Sequence, residues 1–234
     1  MEFPQKFREI DRMKIVQAAK ASLRKPEGKK ALDYLINKRK LSDRIIDRFS
    51  IGYCPPSVNH CLKDRLITPI YDTYGNLVAL STRHLDENAS FRFWHESFDK
   101  GFYLYGLNVA KDAIIKTQKA IVVEGEMDVA CLHSYGFNMT VGLCGSAFTI
   151  FQVALLGRYC SDVFFLLDGD NSGKVSTERI LKIYKNHLLG AYGLNYIPVK
   201  LPEGYDPDDF VKKEGKEALN ELLANARKET EIFK

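Results

Sequence analysis

The 234-residue sequence lacks several features that would define its class at once. No apolar run reaches the ~18 residues of a membrane-spanning helix. Its first residues do not resemble a secretory signal, which combines basic residues with an apolar segment. The chain also has no internal repeat and no low-complexity segment. These absences argue against an integral membrane protein and a repeat protein, and we expect a cytoplasmic chain with no membrane partner.

The chain also lacks paired cysteines. No two cysteines have the C-x-x-C spacing that is typical of a zinc ribbon, and the cluster of His60 with two nearby cysteines has no second pair of ligands. We therefore expect no zinc in this chain and reduced thiols throughout. The five cysteines are Cys54, Cys61, Cys131, Cys144 and Cys160.

Two acidic clusters stand about forty residues apart, and each follows an apolar run. Residues 120–123 are apolar and lead into Glu124, a glycine and then Asp128. Residues 163–167 are apolar and lead into Asp168, a glycine and then Asp170. Each pattern predicts a buried strand that ends in a glycine turn. The single residue between Asp168 and Asp170 would place both side chains on one side of an extended backbone.

A third acidic run follows a third apolar segment, at about residues 194–201. It contains Asp206 and Asp208 on either side of Pro207, whose ring fixes the local turn. A single Asp-Gly-Asp is usually only a turn, so the prediction depends on the three clusters together. Ligands bind at the carboxyl ends of strands in open α/β sheets, and carboxylate oxygens suit Mg²⁺ or Mn²⁺. We therefore expect two or more of these ions.

The first two clusters resemble the E-G-x-x-D and D-G-D motifs of the TOPRIM domain, a metal-binding fold of DnaG-type primases, topoisomerases and some nucleases. Further segments are similar to the catalytic core of bacterial and phage DnaG-type primases in particular. These segments are residues 31–35, 41–42, 48–53, 65–72, 100–107, 143–146 and 205–215. The resemblance therefore covers about residues 14–220.

This resemblance implies a combined α+β and α/β fold class. We expect a helical start and a smaller, basic α+β subdomain in residues 1–118. A TOPRIM metal-binding domain, with a mainly parallel sheet flanked by helices, would occupy residues 119–215. A C-terminal polar helix would follow in residues 216–234. Residues 72–76 predict the turn of a hairpin within the basic part, and residues 1–60 are expected to be helical.

The two parts of the chain differ in charge. Residues 1–118 contain 21 Lys and Arg against 14 Asp and Glu, whereas residues 119–234 contain 13 against 16. A basic part beside an acidic, metal-binding part fits a nucleic-acid template that is held by its phosphates. By resemblance, six residues fall where primases hold template and nucleotide: Lys63, Arg65, Arg83, Arg92, His95 and Lys100. Taken alone, each would more often be an ordinary surface residue.

Two local features qualify these assignments. Residues 81–83 read Ser-Thr-Arg where the family usually has Gly-Gly-Arg, and His95 stands where an Asn is usual. The segment 91–105 is also rich in aromatic residues that have the chemistry to stack on bases. We expect most of them to be core residues instead. They are Phe91, Phe93, Trp94, Phe98, Phe102, Tyr103 and Tyr105.

The implied function is that of a DNA primase, a nucleotidyltransferase that makes short RNA primers on single-stranded DNA during replication. The implied catalytic residues are Glu124, Asp128, Asp168 and Asp170. The implied metal ligands are Glu124, Asp168, Asp170, Asp206 and Asp208, with Asp128 close by. The expected partners are single-stranded DNA, ribonucleoside triphosphates, and a replicative helicase, a separate zinc-binding module or both.

Other functions remain open at this point. A TOPRIM nuclease would use the same acids to cut nucleic acid, although the basic part at residues 63–107 argues against it. An inactive primase remnant would only bind nucleic acid or a helicase, although intact acids at all three strand ends argue against that. A topoisomerase fits least, because the length leaves no room for a strand-passage domain.

Overall fold

A computed structural model describes residues 7–145, 148–169 and 193–232 of the chain. Contacts between residues divide it into two compact units, Met1–Asp99 and Lys100–Lys234. Each unit has its own sheet, so the two are described separately. No helix among the described residues combines the length and the apolar character that crossing a membrane requires.

The first unit packs helices against a four-stranded antiparallel sheet with the order β1-β2-β3-β4. Residues from helix α1, among them Ile15 and Ala19, pack with Ile67 and Leu80 of the sheet. The helical elements are α1 (Glu9–Leu23), a 3-10 turn (Pro26–Gly28), α2 (Lys29–Asp33), a π-helical turn (Tyr34–Lys38) and α3 (Asp43–Arg48). The strands are β1 (Gly52–Cys54), β2 (Arg65–Tyr71), β3 (Leu77–His84) and β4 (Phe93–His95).

The predicted hairpin at residues 72–76 is present between β2 and β3. The carboxylate of Asp72 holds the turn, because its Oδ1 accepts hydrogen bonds from the backbone N–H groups of Tyr74 (2.8 Å) and Asn76 (2.9 Å). The expectation that residues 1–60 are all helical is wrong at β1. This strand has only three residues, all of them buried, so it shows no alternation of apolar and polar residues.

The second unit contains a five-stranded sheet with the order β5-β7-β6-β8-β9. Strands β7, β6, β8 and β9 run parallel, and β5 is antiparallel to β7. The strands are β5 (Leu104–Tyr105), β6 (Lys119–Val123), β7 (Thr140–Leu143), β8 (Asp162–Leu166) and β9 (Asn195–Val199). The helices are a 3-10 turn (Lys100–Phe102), α4 (Leu107–Thr117), α5 (Glu126–Ser134), α6 (Ile150–Leu156) and α7 (Pro207–Ile232).

The boundary between the compact units lies 19 residues before the domain boundary that was expected at residue 118. Leu104 of β5 and Leu107 and Ile114 of α4 belong to the core of the second sheet, which joins this segment to the second unit. The three-part division stays a prediction. Helix α7 begins at Pro207 and is interrupted at Gly215 (φ 89°, ψ 174°), so the polar helix expected from residue 216 forms its second part.

A buried ion pair ties the start of the first unit to its sheet. Arg12 on α1 is 7% exposed and Glu96, just after β4, is 1% exposed. The Arg12 Nε donates to Glu96 Oε1 at 3.1 Å, and the Leu80 N–H donates to Glu96 Oε2 at 3.1 Å. The remaining guanidinium nitrogens donate to the carbonyl oxygens of Leu77 (3.0 Å) and Phe7 (3.1 Å). Both charges are therefore compensated inside the unit.

We expect Glu96→Ala to lower the free energy of unfolding by about 3–5 kcal/mol, because it leaves the Arg12 charge buried without its partner. Glu87→Ala is the matched control, since its ion pairs with Lys38 and Arg92 are exposed and are worth under about 1 kcal/mol. Urea unfolding followed by the fluorescence of Trp94, the single tryptophan, reports on this unit. Equal destabilisation by both substitutions would contradict the prediction.

Candidate metal centre

Acidic residues follow three neighbouring parallel strands of the second sheet. Glu124 comes directly after β6, Asp168 comes two residues after β8, and Asp206 comes in the loop between β9 and α7. Strand β8 lies between β6 and β9 in the sheet. Because parallel strands end at the same edge, all three residues lie at the carboxyl edge where ligands bind.

Asp128 turns back towards the end of β6. Gly125 precedes helix α5, and its backbone N–H donates to Asp128 Oδ2 at 3.2 Å. A Cβ atom at Gly125 would lie 2.6 Å from that same oxygen. A side chain at position 125 would therefore push the Asp128 carboxylate out of its place.

The Asp168–Gly169 turn is in contact with the segment that carries the third acidic run. The Gly169 N–H donates to the Tyr205 carbonyl at 2.9 Å. A Cβ atom at Gly169 would lie 2.6 Å from the backbone oxygen of Pro202, so only glycine fits there. This close approach places the third acidic run beside the end of β8.

Three carboxylates converge at this edge. Asp128, Asp206 and Asp208 each offer one oxygen, and these oxygens lie within 4.8 Å of one another. Asp206 is the N-cap of α7, because its Oδ1 accepts from the Asp209 N–H at 2.7 Å, and Pro207 occupies the first helical position. Asp208 is completely buried. The turn at Pro207 therefore presents two of the three carboxylates.

The surroundings of Asp206 change its proton affinity. Burial raises the pKa of Asp206 to about 6, and a hydrogen bond with the neighbouring Asp208 carboxyl group adds to the effect. Lys212 opposes the accumulated charge, since its Nζ lies 3.0 Å from Asp208 Oδ1 and 2.6 Å from Asp209 Oδ1. Lys212 was not among the residues predicted for the site, although its position four residues after Asp208 in a helix was a usable signal.

These residues suit a divalent cation. The close group consists only of carboxylate oxygens, which are the ligands that Mg²⁺ and Mn²⁺ prefer, and it lies where a cation would offset mutual repulsion. Glu124 and Asp168 are half-buried at the same edge, but in the described part of the chain they are not members of that group. Asp170 lies outside the described residues. The roles of all six acids as catalytic residues or ligands stay predictions.

Lys100 belongs to the second unit and lies close to the end of β7. Its Cδ atom is 3.6 Å from the position that a Cβ would have at Gly145. Burial mainly raises the pKa of the nearby Cys144 thiol to about 12, the charge of Glu126 raises it further, and the charge of Lys100 lowers it. Lys100 thus provides a positive charge beside the acidic edge.

In the first unit, Arg83 and Arg92 lie beside aromatic rings. The Arg83 guanidinium carbon is 5.5 Å from the Tyr34 ring centre and 5.0 Å from that of Phe93, and Arg92 is 5.5 Å from Phe93. Burial lowers the pKa of Arg83, and the charges of Arg39 and Arg92 lower it further, against the effect of Tyr34. Three arginines are therefore concentrated in one patch, as an anion-binding surface requires.

The other predicted phosphate contacts of the first unit differ in their surroundings. Arg65 is buried, and its guanidinium donates to Thr82 Oγ1 at 3.2 Å and to the carbonyl of Phe91. This placement suits a residue that supports the loop after β3. Lys63 is exposed and His95 is half-buried on β4. Contacts of these three residues with nucleotide or template stay predictions.

Asp206→Asn should preserve the cap of α7, because an Asn oxygen accepts the same hydrogen bond, while removing one negative charge from the cluster. We expect an unchanged or higher melting temperature without metal, and a smaller rise when Mn²⁺ is added. The rise in the wild type follows from binding to the folded state, about 2.7 kcal/mol at a hundred times the Kd.

Asp112→Asn, an exposed acid on α4, is the control and should respond to Mn²⁺ as the wild type does. Thermal denaturation with and without Mn²⁺ measures both effects. An undiminished metal response in Asp206→Asn would remove this residue from the metal centre.

Comparison with known proteins gives a consistent result. A family model described as Toprim-like matches residues 121–211. The DNA primase of Clostridium acetobutylicum is 35% identical over 207 residues, which cover 86% of this chain and 33% of that protein. This chain therefore spans about a third of the length of that curated relative.

Solved structures agree over most of the chain. The Escherichia coli primase catalytic core has a TM-score of 0.81 and 28% identity, covering 92% of this chain and 80% of that one. A DnaG primase catalytic domain bound to single-stranded DNA has a TM-score of 0.77 and 28% identity, covering 93% and 83%. The predicted fold class is confirmed, and the chain belongs to the family of DnaG-type primase catalytic cores, with a Toprim-like domain in its second unit.

Proposed function

We propose that this chain is the catalytic core of a DNA primase, which makes short RNA primers on single-stranded DNA for replication. The observation that carries the proposal is the convergence of Asp128, Asp206 and Asp208 at the carboxyl edge of a Toprim-like sheet. The match to a primase catalytic core covers 92% of this chain and therefore extends over both units. This extent favours a primase over a nuclease that shares only the acidic domain.

We propose that the acids at the three strand ends hold Mg²⁺ or Mn²⁺, two or more ions in all. Asp128, Asp206 and Asp208 would form one part of the ligand set, with Glu124, Asp168 and Asp170 completing it. Such ions, when bound, lower the pKa of an attacking 3′-hydroxyl and neutralise charge on a triphosphate. Glu124, directly after β6, would accept the hydroxyl proton or share in holding the ion nearest to it.

Basic residues would hold the phosphates of the substrates. Lys100 stands next to the acidic edge of the second unit and would contact the triphosphate. Arg83 and Arg92 would contact template or nucleotide phosphates from the first unit. Their guanidinium groups lie against aromatic rings, which limits their motion. Arg92 also donates to the exposed Glu87 at 3.3 Å, so a phosphate would compete with this carboxylate for Arg92.

We further propose three partners beyond the template. Ribonucleoside triphosphates would be the substrates, and a replicative helicase, a separate zinc-binding module or both would assist initiation. An enzyme of this kind would act in the cytoplasm of a bacterium, or of the host cell for a phage protein. Tethering by a partner would increase the local concentration of template and thereby raise primer yield.

Asp168→Ala and Asp170→Ala should each abolish nearly all primer synthesis. Loss of phosphoryl-charge neutralisation costs several kcal/mol, which corresponds to about a thousandfold or more in rate. The assay combines the chain with Mg²⁺ or Mn²⁺, ribonucleotides and single-stranded DNA. New short RNA supports a primase, whereas shortened DNA would indicate a nuclease.

The control for these variants is Asp112→Ala, which removes an exposed acid of α4 and should keep the full rate. Binding of DNA without any synthesis or cleavage by the wild type would favour an inactive primase remnant. Wild-type rates in both acidic-edge variants would refute the proposed assignment of these residues.

Arg83→Ala and Arg92→Ala should weaken the binding of single-stranded DNA and make it less dependent on salt. Each lost phosphate contact should reduce the slope of log affinity against log salt by about 0.7 for a single strand. Lys29→Ala is the control, because Lys29 forms an exposed ion pair with Asp33 on α2. Fluorescence anisotropy over a range of salt concentrations measures the slopes, and salt-independent binding would argue against phosphate contacts.

A further inference from the structure

Two phenylalanines of the second unit form an exposed pair. Phe102 in the 3-10 turn is 48% exposed, and Phe151 on α6 is 53% exposed. Their ring centres are 4.2 Å apart, and the ring planes are inclined by 32°. Phe102 belongs to the aromatic segment 91–105, most of which was expected in the core, so its exposure calls for an explanation. Two exposed aromatic rings in contact form a larger apolar surface than the single apolar side chains that are ordinary on a protein surface.

The backbone under this pair is held firmly. The Thr149 hydroxyl donates to the Gly101 carbonyl at 2.5 Å, and the buried Gln152 side chain donates to the Tyr103 carbonyl at 2.7 Å. The same Gln152 side chain accepts from the Thr149 N–H at 3.0 Å, which caps α6. The turn that carries Phe102 and the helix that carries Phe151 are therefore fixed to each other. A surface ordered in this way loses little entropy when it binds a ligand.

A cation accompanies the aromatic pair. Lys100 precedes Phe102 by two residues, so their Cα atoms are at most about 7.6 Å apart. Its side chain packs against Gly145, just after β7, and it acts on the same Cys144 thiol as Glu126. The aromatic pair and a positive charge therefore lie together near the acidic edge of the sheet.

We propose that Phe102 and Phe151 form an aromatic platform on which a nucleobase stacks, while Lys100 contacts a phosphate of the same nucleotide or of its neighbour. The ligand class is a base-bearing phosphate, supplied by single-stranded DNA or by a nucleoside triphosphate. This inference rests on the proposed function, because a primase must hold both. It adds a base-binding site to the metal centre and to the phosphate contacts.

The chemistry of the site favours a nucleotide over the apolar side chain of a protein partner. A nucleotide combines a flat π-system with an anion, and the platform combines flat rings with a cation. Stacking between a base and an aromatic side chain tolerates any base sequence, because every base has a π-face. A primer-forming site needs such tolerance, since it must accept successive different bases.

The test compares ligands that differ only in their bases. One pair is a short oligodeoxythymidylate and an abasic oligomer of equal length, and the other is ATP and inorganic tripolyphosphate, both with Mg²⁺. The double variant Phe102→Leu, Phe151→Leu keeps apolar side chains without π-faces, and Phe102→Tyr, Phe151→Tyr keeps the π-faces. Tyr74→Leu, on the exposed hairpin turn of the first unit, is the matched control.

We expect the leucine variant to lose about fivefold to a hundredfold in affinity for a base-bearing ligand and to bind its base-free counterpart normally. The tyrosine variant and Tyr74→Leu should bind as the wild type does. A lower affinity of the leucine variant for the oligodeoxythymidylate identifies single-stranded DNA as the source of the base. A lower affinity for ATP identifies the nucleoside triphosphate as the source. Melting temperatures of the variants confirm that the fold is retained.

Two results would overturn the platform. The first is an unchanged affinity of the leucine variant for both base-bearing ligands, and the second is an equal loss for base-bearing and base-free ligands. Primer synthesis by the wild type, measured separately, distinguishes a failure of the platform from a failure of the proposed function. Active priming with no base-dependent loss refutes the platform alone. Base-dependent binding without any priming refutes the proposed function and leaves the platform standing.

Discussion

Mutual repulsion between carboxylates is the constraint on which the second unit depends. Three parallel strands deliver acids to one edge, and Asp128, Asp206 and Asp208 bring oxygens within 4.8 Å of one another. Such an arrangement needs positive charge or protons to be stable. The raised pKa of Asp206 favours its protonated form, and the ion pairs of Lys212 offset part of the negative charge. A bound divalent cation would offset the remaining repulsion.

The two units show two solutions to the problem of a buried charge. In the first unit, Glu96 is matched permanently by Arg12 and by backbone donors, so the pair adds rigidity and leaves no role for an exchangeable ion. In the second unit, Lys212 lies at the edge of the cluster and forms ion pairs with two acids of α7, Asp208 and Asp209. A chain with a permanent cationic partner for every acid would be more stable than this one, but it would bind a metal ion less tightly.

The acids at strand ends could be predicted from the sequence, whereas features that depend on tertiary packing could not. Glu124 and Asp168 stand where an apolar run meets a glycine, and this local pattern can be recognised without knowledge of the fold. The three-residue strand β1 was missed because all its residues are buried. Arg65 reads as one more surface cation, since a single sequence does not tell which arginine the loop carbonyls enclose. Most aromatic residues of the segment 91–105 were expected in the core, and the exposure of Phe91, Phe93 and Phe102 was missed for the same reason.

Opposite charges accumulate in the two units, and each accumulation is costly until a ligand arrives. Arg83 has Arg39 and Arg92 close enough to lower its pKa, and it rests on aromatic rings, with no carboxylate bonded to it in the described part of the chain. An anion bound there would relieve repulsion among cations, as a metal ion would among the acids. Each ligand therefore stabilises the unit that binds it, by the linkage between binding and folding. Under the proposed function, the free chain would therefore be less stable than the chain with its metal ions and anionic ligands bound.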